Sequence, residues 1–306
     1  MENYSVYEDI ASRTNGDIYI GVVGPVRTGK STFIKRFMEE LVLPSADESR
    51  RAVMTDELPQ SAAGRTVMTT EPKFVPAQAA KISVREGAEA SVRLVDCVGF
   101  AVEGAGGFEE DGSPRLIKTP WSEQAMPFEQ AARLGTEKVI RDHSTIGILM
   151  TTDGSIADIP RASYVSAEEH AVSELKEIGK PFVILLNCRQ PETQEALRAS
   201  LEEKYGVPVL AVNAERLTEE EILLIMQKVL FEFPVTGIDI RLPKWIQSLP
   251  EDSRVVSALL GKIKKLAPSL VKMKDCLLLE NLFSEKDRFV NPDNINMELG
   301  KGRAEL

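Results

Sequence analysis

Cysteine and histidine are scarce in this chain of 306 residues, and their scarcity removes several kinds of chemistry. The three cysteines, Cys97, Cys188 and Cys276, lie far apart with no CxxC pair, and histidine occurs only at 143 and 170. Neither a disulfide framework nor a zinc site is expected, and the thiols read as small buried side chains in a reducing compartment. Long apolar runs are missing too: none approaches the roughly 20 residues that cross a bilayer. The N-terminal MENYSVYEDIASRT is polar and acidic, without the pattern of a signal peptide, so a cytoplasmic location is the expectation. Positive charge is also short. A net charge of -10 speaks against a nucleic-acid binder and against electrostatic attachment to anionic lipid, although a local basic patch fits within that total.

What remains is the composition of a soluble globular protein, 43% hydrophobic and 27% charged, with length for one large α/β domain and a smaller attachment. Short apolar runs alternate with helical patterns through residue 231, the rhythm of a mostly parallel sheet covered by helices. The run 17–23 (DIYIGVV) predicts a buried first strand, and 30–43 a helix with Phe33, Ile34 and Phe37 on one side. Residues 44–78 show no periodic segment, and a loop of that length is usually functional or mobile. The runs 81–84 and 91–96 are separated by too few residues for a crossover helix, so they are antiparallel neighbours. A second irregular stretch is expected over 101–127, followed by helices near 129–142, 166–178, 192–204 and 218–231 and strands near 145–151, 182–187 and 207–212. The character changes beyond Pro234, with a strand at 238–242, a basic amphipathic helix over 252–267 and a weakly patterned tail from 284. These features divide the chain into a domain of residues 1–234 and an extension of residues 235–306.

The chemistry concentrates in a few loops. Gly24-Pro25-Val26-Arg27-Thr28-Gly29-Lys30-Ser31 matches GxxxxGK[ST] between a strand and a helix, the context a phosphate-binding loop requires. Its glycines let the backbone curl so that N–H groups and the following helix dipole face an anion. Lys30 is then expected at the β- and γ-phosphates, the Ser31 hydroxyl on Mg²⁺, and Thr32 near the α-phosphate. The strand of residues 93–96 ends in Asp96 and opens a DxxG motif closed by Gly99. DxxG alone is common as a plain turn. Behind an antiparallel hairpin, however, Asp96 is placed to hold Mg²⁺ and the Gly99 N–H to meet the γ-phosphate. Together the loops predict an α/β P-loop NTPase of the GTPase-like (TRAFAC) branch, a mostly parallel sheet with one antiparallel strand.

Thr69 and Thr70 stand where such proteins carry a switch threonine that binds Mg²⁺ and orients water, and ordinary loop threonines are the alternative. Arg65 nearby could stabilise developing charge, and a solvated arginine is the commoner arrangement. Guanine-specific members end the base-reading strand with NKxD, but here the residues are Asn187-Cys188-Arg189-Gln190. A neutral amide replaces the carboxylate that pairs with guanine, which favours ATP over GTP. Asp153 is either a nucleotide-edge residue or an Asp-Gly turn, the turn being the commoner arrangement. His143 and His170 lie on helical patterns as structural or solvent-facing residues, and Trp121 either clamps a base or packs down its loop, packing being the commoner role.

Beyond these motifs, long stretches of the sequence resemble the sporulation stage IV protein A family, a group of spore-coat morphogenetic ATPases. They are DIYIGVVGPVRTGKSTFIKRFME, DELPQSAAGRTVMTTEPKFVP, VRLVDCVGF, the loop ending TPW, and HSTIGILMTTDGSIADI. The resemblance implies an ATPase using Mg²⁺ that polymerises after hydrolysis into the basement layer of the spore coat, in the mother-cell cytoplasm at the forespore surface. It places the family's lysine at Lys30, its Mg-site aspartate at Asp96 and its sensor threonines at Thr69 and Thr70. The partners it implies are further copies of the chain, a small amphipathic membrane peptide and other coat proteins. Family members are longer, with middle and C-terminal domains that mediate assembly and docking.

Overall fold

The computed structural model describes residues 17–59, 72–85, 88–110, 113–119, 121–250, 253–283 and 295–306. The chain divides into two compact units, one of residues 1–82 and 91–229 and one of residues 83–90 and 230–306.

In the first unit the continuous apolar runs form strands buried on both faces, as parallel strands covered by helices must be. Strand β1 (Ile18–Val23) is central, flanked by β3 (Ala88–Asp96) on one side and β8 (Ile146–Thr152) on the other. Beyond β8 come β9 (Phe182–Asn187) and β10 (Val209–Val212), and every pair in this run is parallel. Both β8 and β9 are buried along their whole length. Strand β2 (Lys73–Arg85) pairs with β3 across residues 86 and 87, too few for the crossover a parallel pair needs. The sheet is therefore mixed and mostly parallel.

Helices α1 (Lys30–Phe37), α3 (Phe128–Lys138), α4 (Arg161–Ile178), α5 (Glu195–Tyr205) and α6 (Glu219–Leu230) alternate with these strands, and α2 (Glu48–Asp56) follows α1. Two helices loosen into π turns, α1 over Met38–Val42 and α3 over Val139–His143. The second π turn is finished from far away in sequence: Lys180, 4% exposed, donates to the carbonyls of Ile140, Arg141 and Ser144 at 2.5, 2.9 and 2.6 Å. A fully buried carboxylate, Glu168 of α4, ties three elements together. It accepts from Arg161 at 2.8 Å, from the Tyr205 hydroxyl at 2.7 Å and from Thr151 of β8.

Several expectations are corrected here. The stretch 44–78, read as featureless, contains α2 and the start of β2. The stretch 101–127 holds two short ladders, β4 (Glu109–Glu110) with β5 (Ser113–Pro114) and β6 (Leu116–Thr119) with β7 (Ser122–Pro127). Helix α1 stops at Phe37 as an α-helix, and α4 begins five residues earlier than its pattern suggested.

The second unit contains β11 (Gly237–Asp239), β12 (Asn296–Glu298) and β13 (Arg303–Glu305). Strand β12 lies parallel to the start of β3, with Met297 opposite Ala88, and antiparallel to β13, which pairs in parallel with β11. The tail from 295 is thus patterned, and it adds a second antiparallel pair where one antiparallel strand was expected. After the single-turn α7 (Lys244–Gln247), helix α8 (Arg254–Leu266) is capped by Ser253, whose Oγ accepts from Val256 N at 3.3 Å. It buries Val256 and Leu259 against Ile246 and Phe283. Among the described residues no helix is long and apolar enough to cross a membrane.

Candidate functional site

Five parallel strands end on the same edge of the sheet, where α/β proteins bind ligands. Their register sets Val22 beside Asp96, Val23 beside Leu149 and Thr152 beside Asn187. The loops that follow carry the motifs.

The loop after β1 turns at Gly24, whose φ is +125°. A Cβ there would lie 2.3 Å from the Met150 carbonyl oxygen, a backbone atom that cannot move aside, so only glycine fits. Within the loop Thr28 Oγ1 donates to Pro25 O at 2.9 Å. The loop is also stitched to the second motif: Val26 N donates to Phe100 O at 2.8 Å and Phe100 N to Gly24 O at 3.1 Å. Helix α1 then begins at Lys30, which is 5% exposed. Its ammonium donates to the carbonyls of Pro25 at 2.6 Å and Gly24 at 3.4 Å. Burial pulls the Lys30 pKa below the ordinary lysine value, opposed by the nearby Cys97 and Asp96. Arg27 is exposed, and Thr32 is half-buried in the first turn of α1.

Ser31 Oγ donates to Asp96 Oδ2 at 2.8 Å, joining two of the predicted Mg²⁺ ligands across 65 residues. Burial raises the Asp96 pKa, and the Ser31 hydrogen bond and Lys30 work against that rise. The other oxygen, Asp96 Oδ1, is buried without a hydrogen-bond partner. An orphaned carboxylate oxygen beside a serine hydroxyl is a donor set that suits a hard divalent cation, so the residues fit Mg²⁺.

Gly99 has φ +103°, and a Cβ on it would sit 2.5 Å from both Gly24 O and Lys30 Nζ. Its N–H, expected to face phosphate, donates to Thr136 Oγ1 of α3 at 3.1 Å, and Thr136 in turn donates to Ala132 O at 2.8 Å. Thr136 was invisible in the sequence because nothing in its own neighbourhood signals a partner 37 residues away. Phe100, next along, meets the His170 ring of α4 edge-on at 4.8 Å.

Asn187 uses both ends of its amide on backbone: Nδ2 donates to Thr28 O and Oδ1 accepts from Ala214 N, each at 3.0 Å. It therefore fastens the loop after β1 to the loops after β9 and β10. Arg189 and Gln190 are exposed beyond it, and Cys188 is buried. Asp153 closes the turn after β8, accepting from Ser155 N at 2.9 Å and Ser155 Oγ at 2.6 Å, and Arg189 N donates to that Ser155 hydroxyl at 3.0 Å. The cysteines are buried, as expected. Thr69, Thr70 and Arg65 lie outside the described residues.

Residues 1–234 match the sequence profile of the family described as stage IV sporulation protein A, ATPase domain. The chain is 48% identical over 310 residues to stage IV sporulation protein A of Bacillus subtilis, covering 100% of this chain and 63% of that protein. It is 50% identical over 303 residues to the Clostridioides difficile protein of the same name (98% of this chain, 62% of that one). For the Bacillus anthracis protein the identity is 48% over 309 residues, 100% of this chain and 63% of the relative. The chain thus spans less than two thirds of the length of these relatives. It belongs to the stage IV sporulation protein A family, and the segment that carries the loops described above is that family's ATPase domain.

Proposed function

We propose that this chain hydrolyses ATP with Mg²⁺ at the edge formed by Gly24–Thr32, Asp96, Gly99 and Asn187, and that hydrolysis drives self-assembly of the spore-coat basement layer at the forespore surface. One observation carries the reading: the Ser31 hydroxyl rests on Asp96 at 2.8 Å while the second Asp96 oxygen stays buried and unpartnered beside the lysine of the phosphate loop. In this reading residues 1–234 are the catalytic domain and 235–306 open a middle region. The β2–β3 hairpin ahead of Asp96, and the adjacency of β1 and β3, support the GTPase-like branch.

Ser31 and Asp96 would hold the metal, with Thr70 as a third ligand. Bound there, Mg²⁺ supplies positive charge to the β- and γ-phosphate oxygens. Lys30 leaves its loop carbonyls for those phosphates, Gly99 N–H turns to the γ-phosphate, and Thr69 and Thr70 orient the attacking water. The partners proposed with the function are further copies of the chain, other coat proteins and a small amphipathic membrane peptide.

Base choice follows from Gln190. A carboxylate only accepts hydrogen bonds and so selects guanine, whereas an amide also donates and leaves adenine acceptable. ATP is expected to bind more tightly than GTP by roughly ten- to a hundredfold. Competition of each nucleotide against a fluorescent ATP analogue measures this, with Lys30→Ala as the variant that loses binding. A preference for GTP would replace the ATPase by a nucleotide-dependent switch, and unaltered affinity in Lys30→Ala would remove the phosphate-loop assignment.

A further inference from the structure

Arg27 occupies the fourth position of the phosphate loop, and its backbone is unusual. Among the described residues it is the only non-glycine with a positive φ, at 59°. An L-residue there brings its Cβ against the following carbonyl, so the conformation is strained unless its surroundings impose it. They do impose it. Val26 is held to Phe100, the Thr28 side chain to Pro25 and the Thr28 carbonyl to Asn187, which leaves residue 27 no freedom between its anchored neighbours. Glycine would satisfy the same geometry without strain. An arginine stands there instead.

Its side chain is spare. Arg27 is exposed, and among the described residues its guanidinium makes no hydrogen bond or ion pair. The other cation of the loop, Lys30, is buried and committed to the carbonyls of Pro25 and Gly24. The charge of Arg27 does reach one group nearby, the buried Tyr164 hydroxyl, which has no hydrogen-bond partner and whose pKa burial raises against the pull of Arg27.

We propose that Arg27 is a catalytic residue of the ATPase reaction, its guanidinium stabilising the charge that develops on the transferring phosphoryl group. The proposal rests on the ATPase reading of this loop. In the step concerned, a water oxygen forms a bond to the γ-phosphorus while the bond from that phosphorus to the bridging oxygen breaks. The bonding pair leaves on ADP, one water proton remains on the new hydroxyl and the other passes to a phosphate oxygen. Negative charge builds on the bridging and γ-phosphate oxygens as this happens. A planar fork of N–H donors matches those oxygens better than the point charge of an ammonium. Lys30 and the loop N–H groups bind the ground state, so the effect of Arg27 falls on the transition state.

The test compares Arg27→Gly, Arg27→Lys and Lys30→Ala with the parent chain in three measurements: ATP affinity by displacement of a fluorescent analogue, steady-state hydrolysis, and capture of ADP with aluminium fluoride and Mg²⁺, which mimics the phosphoryl group in transfer. Arg27→Gly should unfold at the parental temperature or above it, because glycine accepts this φ freely. Its ATP affinity should change by less than about threefold while kcat falls on the order of 10³-fold. It should fail to retain ADP–aluminium fluoride, and Arg27→Lys should recover part of both losses. Parental kcat in Arg27→Gly, or a loss of ATP affinity equal to its loss in kcat/KM, would overturn the proposal. If Lys30→Ala is inactive while Arg27→Gly works normally, Arg27 alone is wrong; if Lys30→Ala binds and hydrolyses ATP as the parent does, the loop assignment fails and Arg27 fails with it.

Discussion

At the scale of single residues, the Gly99 amide proton has two uses. It rests on the Thr136 hydroxyl, and the ATPase reading gives it to a γ-phosphate oxygen instead. Thr136→Val keeps the side-chain shape and removes the acceptor, leaving a buried N–H without a partner. Without nucleotide this variant should lose about 1–3 kcal/mol of stability, the usual penalty for an orphaned buried donor. ATP should restore most of that loss because its third phosphate replaces the hydroxyl, whereas ADP should not. Thermal unfolding with each nucleotide checks the difference. Equal stabilisation of variant and parent by ATP would mean that Gly99 never turns to phosphate.

At the scale of elements, the second unit depends on strands of three residues. Strand β12 pairs with the start of β3, and β13 joins β12 to β11. Removing residues 295–306 takes away both, so the amides of residues 88–89 and 237–239 should exchange with deuterium much faster while those of β8 and β9 keep their protection. Unchanged exchange at 237–239 would mean that β11 holds without its partner. Such short strands carry no readable period, which is why the tail is only weakly patterned in sequence. Helix α2 escaped for a different reason: it has no apolar face, and its Val53 is 59% exposed. Strands β1, β8 and β9 were legible because burial on both faces forces unbroken apolar runs. The phosphate loop and Asp96 were legible because their chemistry demands fixed residue types at fixed spacing. Thr136, Lys180 and Glu168 were not, since each is defined by partners many positions away.

At the scale of the whole molecule, thiols report on both units, Cys97 and Cys188 in the first and Cys276 in the second. Burial pushes each of the three thiols up from 9.0 to about 11. A raised thiol pKa favours the neutral form in the fold, so its stabilising contribution is whole below pH 9.0 and drains away as pH rises through about 11. Native protein should therefore resist an aromatic disulfide reagent at mildly alkaline pH, and all three thiols should react once the chain is denatured. Rapid modification of the native protein would contradict the burial described for them. A different kind of report begins at Phe100. Its backbone bridges to Gly24 and Val26, and its ring leans on His170 of α4. Wired in this way, the two phosphate motifs are in series, and a shift of Gly99 toward a nucleotide drags the next residue with it. On the proposed ATPase reading, the arrival or departure of a third phosphate would be felt at a helix that carries none of the motif residues.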